Sequence, residues 1–323
     1  MKKIITGIKP TGAQLHIGNL VGAELPFHRI AQGNDAAIFI ADLHALTSVK
    51  DGAKLRAQTL ELALTYLAVH GPETDITIFK QSDIRVIPKL NWILANATPL
   101  SLMLRAHSFK DAEAKNSDIN MGVFNYPILM AADIIGYDID VVPVGQDQKQ
   151  HLEMTRDIAR AFNKTYGEEV FTIPQEYIEP NVATLPGIDG RKMSKSYDNF
   201  IGVFDDEKTM KKKVMSIVTD SKGVDDVKDP ETCNIFALIK VFADPVRTES
   251  IRAKYLSGSG YGYGHAKLEL LEVLLDFLRP IHEARAKLEQ NMDFVEKRLA
   301  DGALKMNARI DKKMEIVSRL VGV

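Results

Sequence analysis

Ile4-Ile5-Thr6-Gly7-Ile8-Lys9-Pro10-Thr11-Gly12-Ala13-Gln14-Leu15-His16-Ile17-Gly18-Asn19 passes from a short apolar run, through a turn bounded by glycines, into a segment that opens a helix. A buried parallel strand followed by such a turn and helix begins a βαβ unit. The N-terminal half repeats that rhythm. Ala36 to Ile40, Thr77 to Phe79 and Val141 to Val144 are further short apolar runs. Between them, Gly52 to Val69 places Leu55, Leu62, Tyr66 and Val69 on one helical face, and Gln148 to Phe162 does the same with Leu152, Thr155, Ile158, Ala159 and Phe162. Strand, helix and strand at this spacing predict an α/β fold with a doubly wound, mostly parallel sheet.

After about Phe200 the strand signals stop. Asp205 to Thr219, Asn234 to Phe242, Glu249 to Leu256, Ala266 to Leu278, Asn291 to Ala300 and Ala303 to Leu320 read as helices. Pro280 is expected to start a new helix, and Gly302 to separate the last two. The glycine-rich stretch Ser257 to Gly264 follows a helix with no strand before it, so it reads as a helix–helix loop. The organisation expected is a sheet domain over 1–188, a polar linker over 189–200 and an all-α C-terminal domain over 201–323.

The chain has 323 residues, 45% hydrophobic and 26% charged, as a globular protein of about two domains has. No apolar run reaches the roughly 18 residues of a membrane span, and Met1 to Gly7 lacks a signal-peptide core. The single cysteine, Cys233, excludes an internal disulfide framework and a cysteine zinc cage. The expectation is a reduced, cytoplasmic protein with no membrane contact and no zinc or iron–sulfur site. A net charge of −2 gives no global reason to expect nucleic acid. Local basic runs, Lys211 to Lys213 and Lys305, Arg309, Lys312 and Lys313, read first as solvated helix faces.

Gly7 to Gly12 has the glycine spacing of a phosphate loop, but Ala13 and Gln14 stand where that motif needs Lys and Ser or Thr. Leu15-His16-Ile17-Gly18-Asn19 says more. A histidine at a helix start adds a donor to N–H groups that already favour anions, and Gly18 lets a flat ligand approach the backbone. Far along the chain, Gly190-Arg191-Lys192-Met193-Ser194-Lys195-Ser196 carries three cations in five positions, with Lys192 and Lys195 one turn apart.

A third stretch is Tyr126-Pro127-Ile128-Leu129-Met130-Ala131-Ala132-Asp133. Pro127 fits a first helical position, with Asn125 or Tyr126 as its cap. Tyr126, Met130 and Asp133 then share one face: an apolar slot with one acceptor, suited to an indole N–H. A plain core stripe would accommodate the first two and not the carboxylate, because a buried carboxylate needs partners. Val141 to His151 (VVPVGQDQKQH) is a strand, a glycine and a polar helix start, the kind of strand end where open α/β sheets bind ligands.

His16-Ile17-Gly18-Asn19 paired with Lys192-Met193-Ser194-Lys195-Ser196 resembles the signatures of the class I aminoacyl-tRNA synthetases. With YPILMAAD, VPVGQDQKQH, FNKTYG (Phe162 to Gly167) and VTDS (Val218 to Ser221), nearly the whole chain is similar to the tryptophanyl-tRNA synthetase family. The resemblance implies a Rossmann-like, HUP-type catalytic domain and a helical domain for the tRNA anticodon stem. It implies activation of L-tryptophan by ATP with Mg2+, transfer to tRNA(Trp), and a homodimer formed around Leu100 to Met130. On that reading His16, Asn19, Lys192 and Lys195 are catalytic. The ATP site adds Lys9, Thr11, Gly12, Gly18, Gly145, Asp147, Met193 and Ser196. Tryptophan meets Ile5, Gly7, His44, Tyr126, Met130, Asp133 and Gln148. The basic runs become phosphate contacts for tRNA.

The chain departs from the family pattern at four places. Lys9 stands where Gln is usual, Ile5 where Phe is common, Ala112 where a lysine often occurs, and Gln146 where an acidic residue is usual. Three other readings carry different expectations. A tyrosyl enzyme would show another pocket pattern and an appended RNA-binding module. A non-catalytic tryptophan- or nucleotide-binding paralogue would be expected to lose His16 or the loop lysines. A cofactor-making nucleotidyltransferase would not need the helical domain.

Overall fold

The computed structural model describes residues 1–12, 14–106, 109–110, 113, 119–145, 148–179 and 184–323. They fall into two compact units: Met1–Gly12, Phe27–Pro180 and Leu288–Val323 form one, and Ala13–Pro26 with Asn181–Lys287 the other.

The first unit is built on five strands: β1 (Lys3–Ile8), β2 (Asp35–Ile40), β3 (Thr77–Lys80), β4 (Val141–Pro143) and β5 (Gln175–Tyr177). Their order is β3-β2-β1-β4-β5 and every pair is parallel. Ile4 pairs with Ala36 on one side and Val141 on the other, so β1 is central and fully flanked. The chain winds outward from β1 in one direction through β3, then returns for β4 and β5. A crevice therefore opens where the winding reverses, beyond the carboxyl ends of β1 and β4. Both faces of the sheet are covered, which is why Ala36 to Ile40 are all buried with no alternation.

The helices obey their end signals. Asp51 accepts from the N–H groups of Ala53 and Lys54 to start Gly52–His70. Gly167 closes Lys149–Tyr166 in the left-handed conformation. Asn120, accepting from Val123 N–H, starts Met121–Ile135. Pro127 is thus inside this helix and not at its first position, as the sequence suggested. The early cap already satisfies the first turn, and Tyr126, Met130 and Asp133 keep their shared face. Ile87–Ala97 and the three-residue β5 were not anticipated.

Two expected helix breaks are absent. Tyr263–Glu289 runs unbroken through Pro280, whose ring sits on an exposed position while Leu270, Leu274 and Leu278 bury the opposite face. An interior proline costs about 3 kcal/mol; on the solvent side water can serve the carbonyl it leaves unpaired, and burial along the rest of the helix offsets the loss. Met292–Val321 likewise runs through Gly302. That glycine is a contact: a Cβ there would lie 2.2 Å from the carbonyl oxygen of Ile78 in β3. The last helix consequently packs on the sheet. This is the physical reason the compact units depart from a division into 1–188 and 201–323.

The C-terminal basic run is largely used internally. Lys305 bonds Asp35 (3.2 Å) and Thr77 (2.9 Å), Arg309 pairs with Asp35, and Lys313 bonds Asp138 at 2.7 Å. Arg309 and Lys313 are therefore not the solvated face first read from the sequence, while Lys305 stays exposed and paired. The second unit holds Glu207–Met215, Asn234–Phe242 and Pro245–Ser257, with no strand among its described residues. Pro245–Ser257 ends at left-handed Gly258, and the loop expected from Ser257 onward gives way to helix again at Tyr263.

Replacing Gly302 by alanine should destabilise the protein by about 1–3 kcal/mol, because the backbone of β3 cannot yield. Gly264→Ala, where nothing lies within 4 Å of the new Cβ, should be neutral or add about 0.5–1 kcal/mol. Urea unfolding midpoints of the two variants distinguish these outcomes.

Candidate active site

In the first unit the site is organised by Asp133, which is 1% exposed. Gln81, directly after β3, donates its amide to Oδ2 at 2.7 Å. His44, beyond the end of β2, bonds the same oxygen through Nε2 at 3.0 Å. Gln81 Oε1 accepts from the backbone N–H groups of Leu43 and His44, which fixes the amide orientation. Asp42 ties this turn to the next strand end through Ser82, accepting from its N–H and its hydroxyl. Burial raises the Asp133 pKa, and the His44 and Gln81 bonds oppose that rise. Both bonds fall on Oδ2. Oδ1 accepts nothing among the described residues, so one acceptor remains in an otherwise satisfied buried group.

Around it stand rings. Tyr126 lies 4.4 Å from the His44 ring and 5.7 Å from that of His151, centroid to centroid. His151 Nδ1 is 3.2 Å from Gln148 Oε1. Met130 is half-buried against the core. His44, Tyr126, Met130, Asp133 and Gln148 thus lie in one region of the first unit. Ile5 is fully buried in the hydrophobic core. Gly7 has the Phe39 ring against it: a Cβ there would fall 2.2 Å from Phe39 Cζ.

Lys9 turns inward. Its ammonium donates to Thr47 Oγ1 at 3.2 Å and lies 5.7 Å from the Tyr126 ring, and desolvation lowers its pKa. Thr11 is exposed and its N–H bonds Lys9 C=O. Gly12, at φ +73°, lies over Gln58. Gly145 is exposed at the end of β4 and its carbonyl accepts from Gln148 N–H. Asp147, Ala112 and Gln146 lie outside the described residues.

The second unit gathers the other set. His16 forms an antiparallel bridge with Gly202, and Ile17 N–H bonds Ile201 C=O. The His16 Nδ1 accepts from the N–H of Asn19 at 3.1 Å, so the proton of the neutral ring is on Nε2. Burial and then the charge of Lys195 lower its pKa to about 4. Gly18 is required: a Cβ there would sit 2.9 Å from His16 Nδ1 and 3.4 Å from the sulfur of Met193. The two signatures, more than 170 residues apart in sequence, therefore meet at His16, Gly18, Met193 and Lys195. Lys192, Lys195 and Ser196 are exposed, and desolvation lowers the Lys195 pKa.

Asn199 was not singled out from the sequence, yet it builds this loop. It is 1% exposed, accepts from Ser194 N–H (2.7 Å), and donates to Lys192 C=O (3.1 Å) and to Asp189 (2.7 Å). Arg191 bonds the same Asp189 and covers the Tyr197 ring at 4.4 Å. The loop backbone is thereby fixed while its lysines remain free to reach a ligand. Gln81 is the corresponding omission in the first unit; a lone glutamine after a strand carries no pattern.

A strand-end crevice with a buried single acceptor, and a histidine–lysine cluster built from two distant motifs, define a nucleotide-dependent enzyme of the class I synthetase type. Residues 1–279 match the family described as tRNA synthetases class I (W and Y), and the chain belongs to that family. Its tryptophan branch is shown by full-length relatives. A tryptophan–tRNA ligase of Fusobacterium nucleatum is 45% identical over 323 residues, 100% of this chain and 98% of the relative. One from Campylobacter jejuni is 40% identical, covering 99% and 100%. The crystal structure of tryptophanyl-tRNA synthetase from Campylobacter jejuni complexed with ADP and tryptophan superimposes with a TM-score of 0.93 at 39% identity, over 99% of this chain and 100% of that one. The chain is thus an aminoacyl-tRNA synthetase of the tryptophan–tRNA ligase family.

Because the His16 pKa is held at about 4, below its ordinary 6.5, neutral His16 favours the folded state above pH 6.5 and loses that advantage as pH falls toward 4. Urea titrations should show the stability gap between wild type and His16→Gln narrowing across that interval. A constant gap would mean the imidazole is not held neutral.

Proposed function

We propose that the chain activates L-tryptophan with ATP, forming tryptophanyl-adenylate and pyrophosphate, and then transfers tryptophan to tRNA(Trp). The observation that carries the choice of amino acid is the unshared Oδ1 of Asp133 in a pocket walled by Tyr126, His44 and Met130. An indole presents one N–H to that acceptor. Phenylalanine leaves it unpaired, a discrimination of roughly 10⁴–10⁵. Tyrosine can satisfy a carboxylate, and its exclusion falls to the shape of the slot. Tyr126 and Gln148 take the substrate's α-ammonium and carboxylate.

Activation is an in-line attack of the tryptophan carboxylate on the α-phosphorus of ATP. Pyrophosphate leaves with the bond pair of the scissile P–O bond. No covalent nucleophile from the protein is needed; binding, orientation and charge neutralisation suffice. His16 Nε2–H, with its ring held neutral, donates to a phosphate oxygen. Asn19 and the backbone at Gly18 serve the nucleotide, Met193 its adenine, and Gly145 and Asp147 its ribose. Lys192 and Lys195 take up the charge that develops on pyrophosphate, and Mg2+ arrives with ATP and shares that load. Thr11, Gly12 and Ser196 border the phosphates.

Two further parts of the reading concern assembly. Exposed Leu100, Leu104 and Met121 are large apolar side chains in the region expected to pair two copies, and they support a homodimer. For tRNA, exposed Lys211 and Lys212 are available basic contacts in the first run; Lys213 bonds Asp205 at 2.7 Å. The protein acts in the cytoplasm, and no helix among the described residues is long and apolar enough to cross a membrane.

ATP–pyrophosphate exchange with each amino acid tests the reading: tryptophan alone should support exchange. Asp133→Ala should raise the KM for tryptophan by about tenfold to a hundredfold, with the KM for ATP little changed. An unchanged tryptophan KM would remove Asp133 from recognition. Lys195→Ala should lower the activation rate by about 10²–10³ and leave tryptophan affinity nearly constant, the signature of a contact made in the transition state. A loss confined to affinity would contradict it.

A further inference from the structure

The first unit has a second concave site, at the opposite end of the strands from Asp133. A cavity of about 380 Å³ is lined by Lys3, Asp138, Lys305, Arg309, Lys312 and Lys313. Lys3 opens β1, Asp138 precedes β4, and the rest lie on one face of Met292–Val321, at spacings of three, four, seven and eight residues. The volume falls within the range of small-molecule sites, roughly 300–1,000 Å³.

Its charge is not balanced from within. Asp35 serves both Lys305 and Arg309, and Asp138 serves Lys313. Among the described residues, the carboxylate of Asp140 accepts from the backbone N–H of Lys3 and from no cation. Five cations therefore face three carboxylates, and the ammonium groups of Lys3 and Lys312 have no ion-pair partner among the described residues. Carboxylates hold the recessed cations in place, which spares an incoming anion the cost of ordering them. The two unpaired lysines supply the surplus charge at the rim.

We infer that this cavity binds a small polyphosphate, the chemistry of inorganic tripolyphosphate or of a nucleoside triphosphate tail. Several linked phosphates match several cations at one site, where a single phosphate would leave most of them unanswered. Size argues for a free anion over a nucleic-acid backbone. Lys313 is 8% exposed and the Arg309 side chain 19%, so both are recessed below what a duplex surface reaches. Lys312 is exposed at the entrance.

Amine acetylation of the full chain, read residue by residue by mass spectrometry, tests this with tripolyphosphate as the probe. Because each lysine is read separately, tripolyphosphate taken up at the nucleotide site does not register here. With tripolyphosphate at about ten times its Kd, Lys3 and Lys312 should be labelled about tenfold more slowly, while exposed Lys297 on the same helix is unaffected. Lys312→Glu should weaken the protection of Lys3 by about tenfold in tripolyphosphate concentration. Unaltered labelling of Lys3 and Lys312 would overturn the assignment. So would protection by a tRNA transcript and not by tripolyphosphate, which would make the face an RNA contact.

Discussion

A carboxylate removed from water must either be neutralised or be given hydrogen bonds, and Asp133 is given both of its bonds on one oxygen. Much of the first unit serves that arrangement. β2 and β3 end side by side, in register from Ala37 with Thr77 to Ile40 with Lys80. That register brings His44 and Gln81 to the same carboxylate. Gln81 also receives two backbone N–H groups from the turn carrying His44, and Asp42 with Ser82 cross-links the two strand ends. Loss of one member would leave another buried polar group unpaired, so these bonds behave as a network. Its product is a free Oδ1 with a fixed direction. A lone aspartate with both oxygens shared would hold the fold equally well and recognise nothing.

The second unit solves a different problem. Its cations must stay exposed and charged enough to meet phosphates, yet be held near a histidine that donates. Burial keeps His16 neutral, and its Nδ1 is occupied by Asn19 N–H, so Nε2 is left as donor. Lys195 strengthens the effect by disfavouring a second positive charge nearby. Asn199 fixes the loop through the backbone of Ser194 and Lys192 and the carboxylate of Asp189, leaving the lysine side chains uncommitted. Rigidity lies in the main chain and freedom in the ammonium groups, a division suited to charge that develops during reaction.

How much of this could be read beforehand depended on whether a residue type announces its environment. The parallel strands were legible because Ala36 to Ile40 and Val141 to Val144 are continuously apolar, and only burial on both faces permits that. Asp133 was legible because a carboxylate on an apolar face is costly without a purpose. β5 was not: Gln175-Glu176-Tyr177 is a short edge with a half-buried pattern and no periodicity to read. Pro127, Pro280 and Gly302 misled in one way. Each was read by its local backbone preference, and each is placed by tertiary packing that outweighs it. Gln81 and Asn199 were silent because amides satisfy backbone groups anywhere; only the fold reveals which ones.

The family departures can be weighed by the same physics. Ile5 is fully buried in the core, so exchanging it with an aromatic residue alters packing behind the pocket before it alters any ligand contact. Lys9 is the more consequential. It was expected beside the phosphates, and a cation repelled by its surroundings would have turned to water. Instead its ammonium accepts partial desolvation to reach Thr47 and the Tyr126 ring. The hydroxyl and the ring face compensate part of that cost, but neither carries a formal negative charge. The cation therefore stands beside Tyr126 with no carboxylate partner among the described residues. A lysine turned outward would keep its full hydration; this one gives part of it up for a hydroxyl and a ring face.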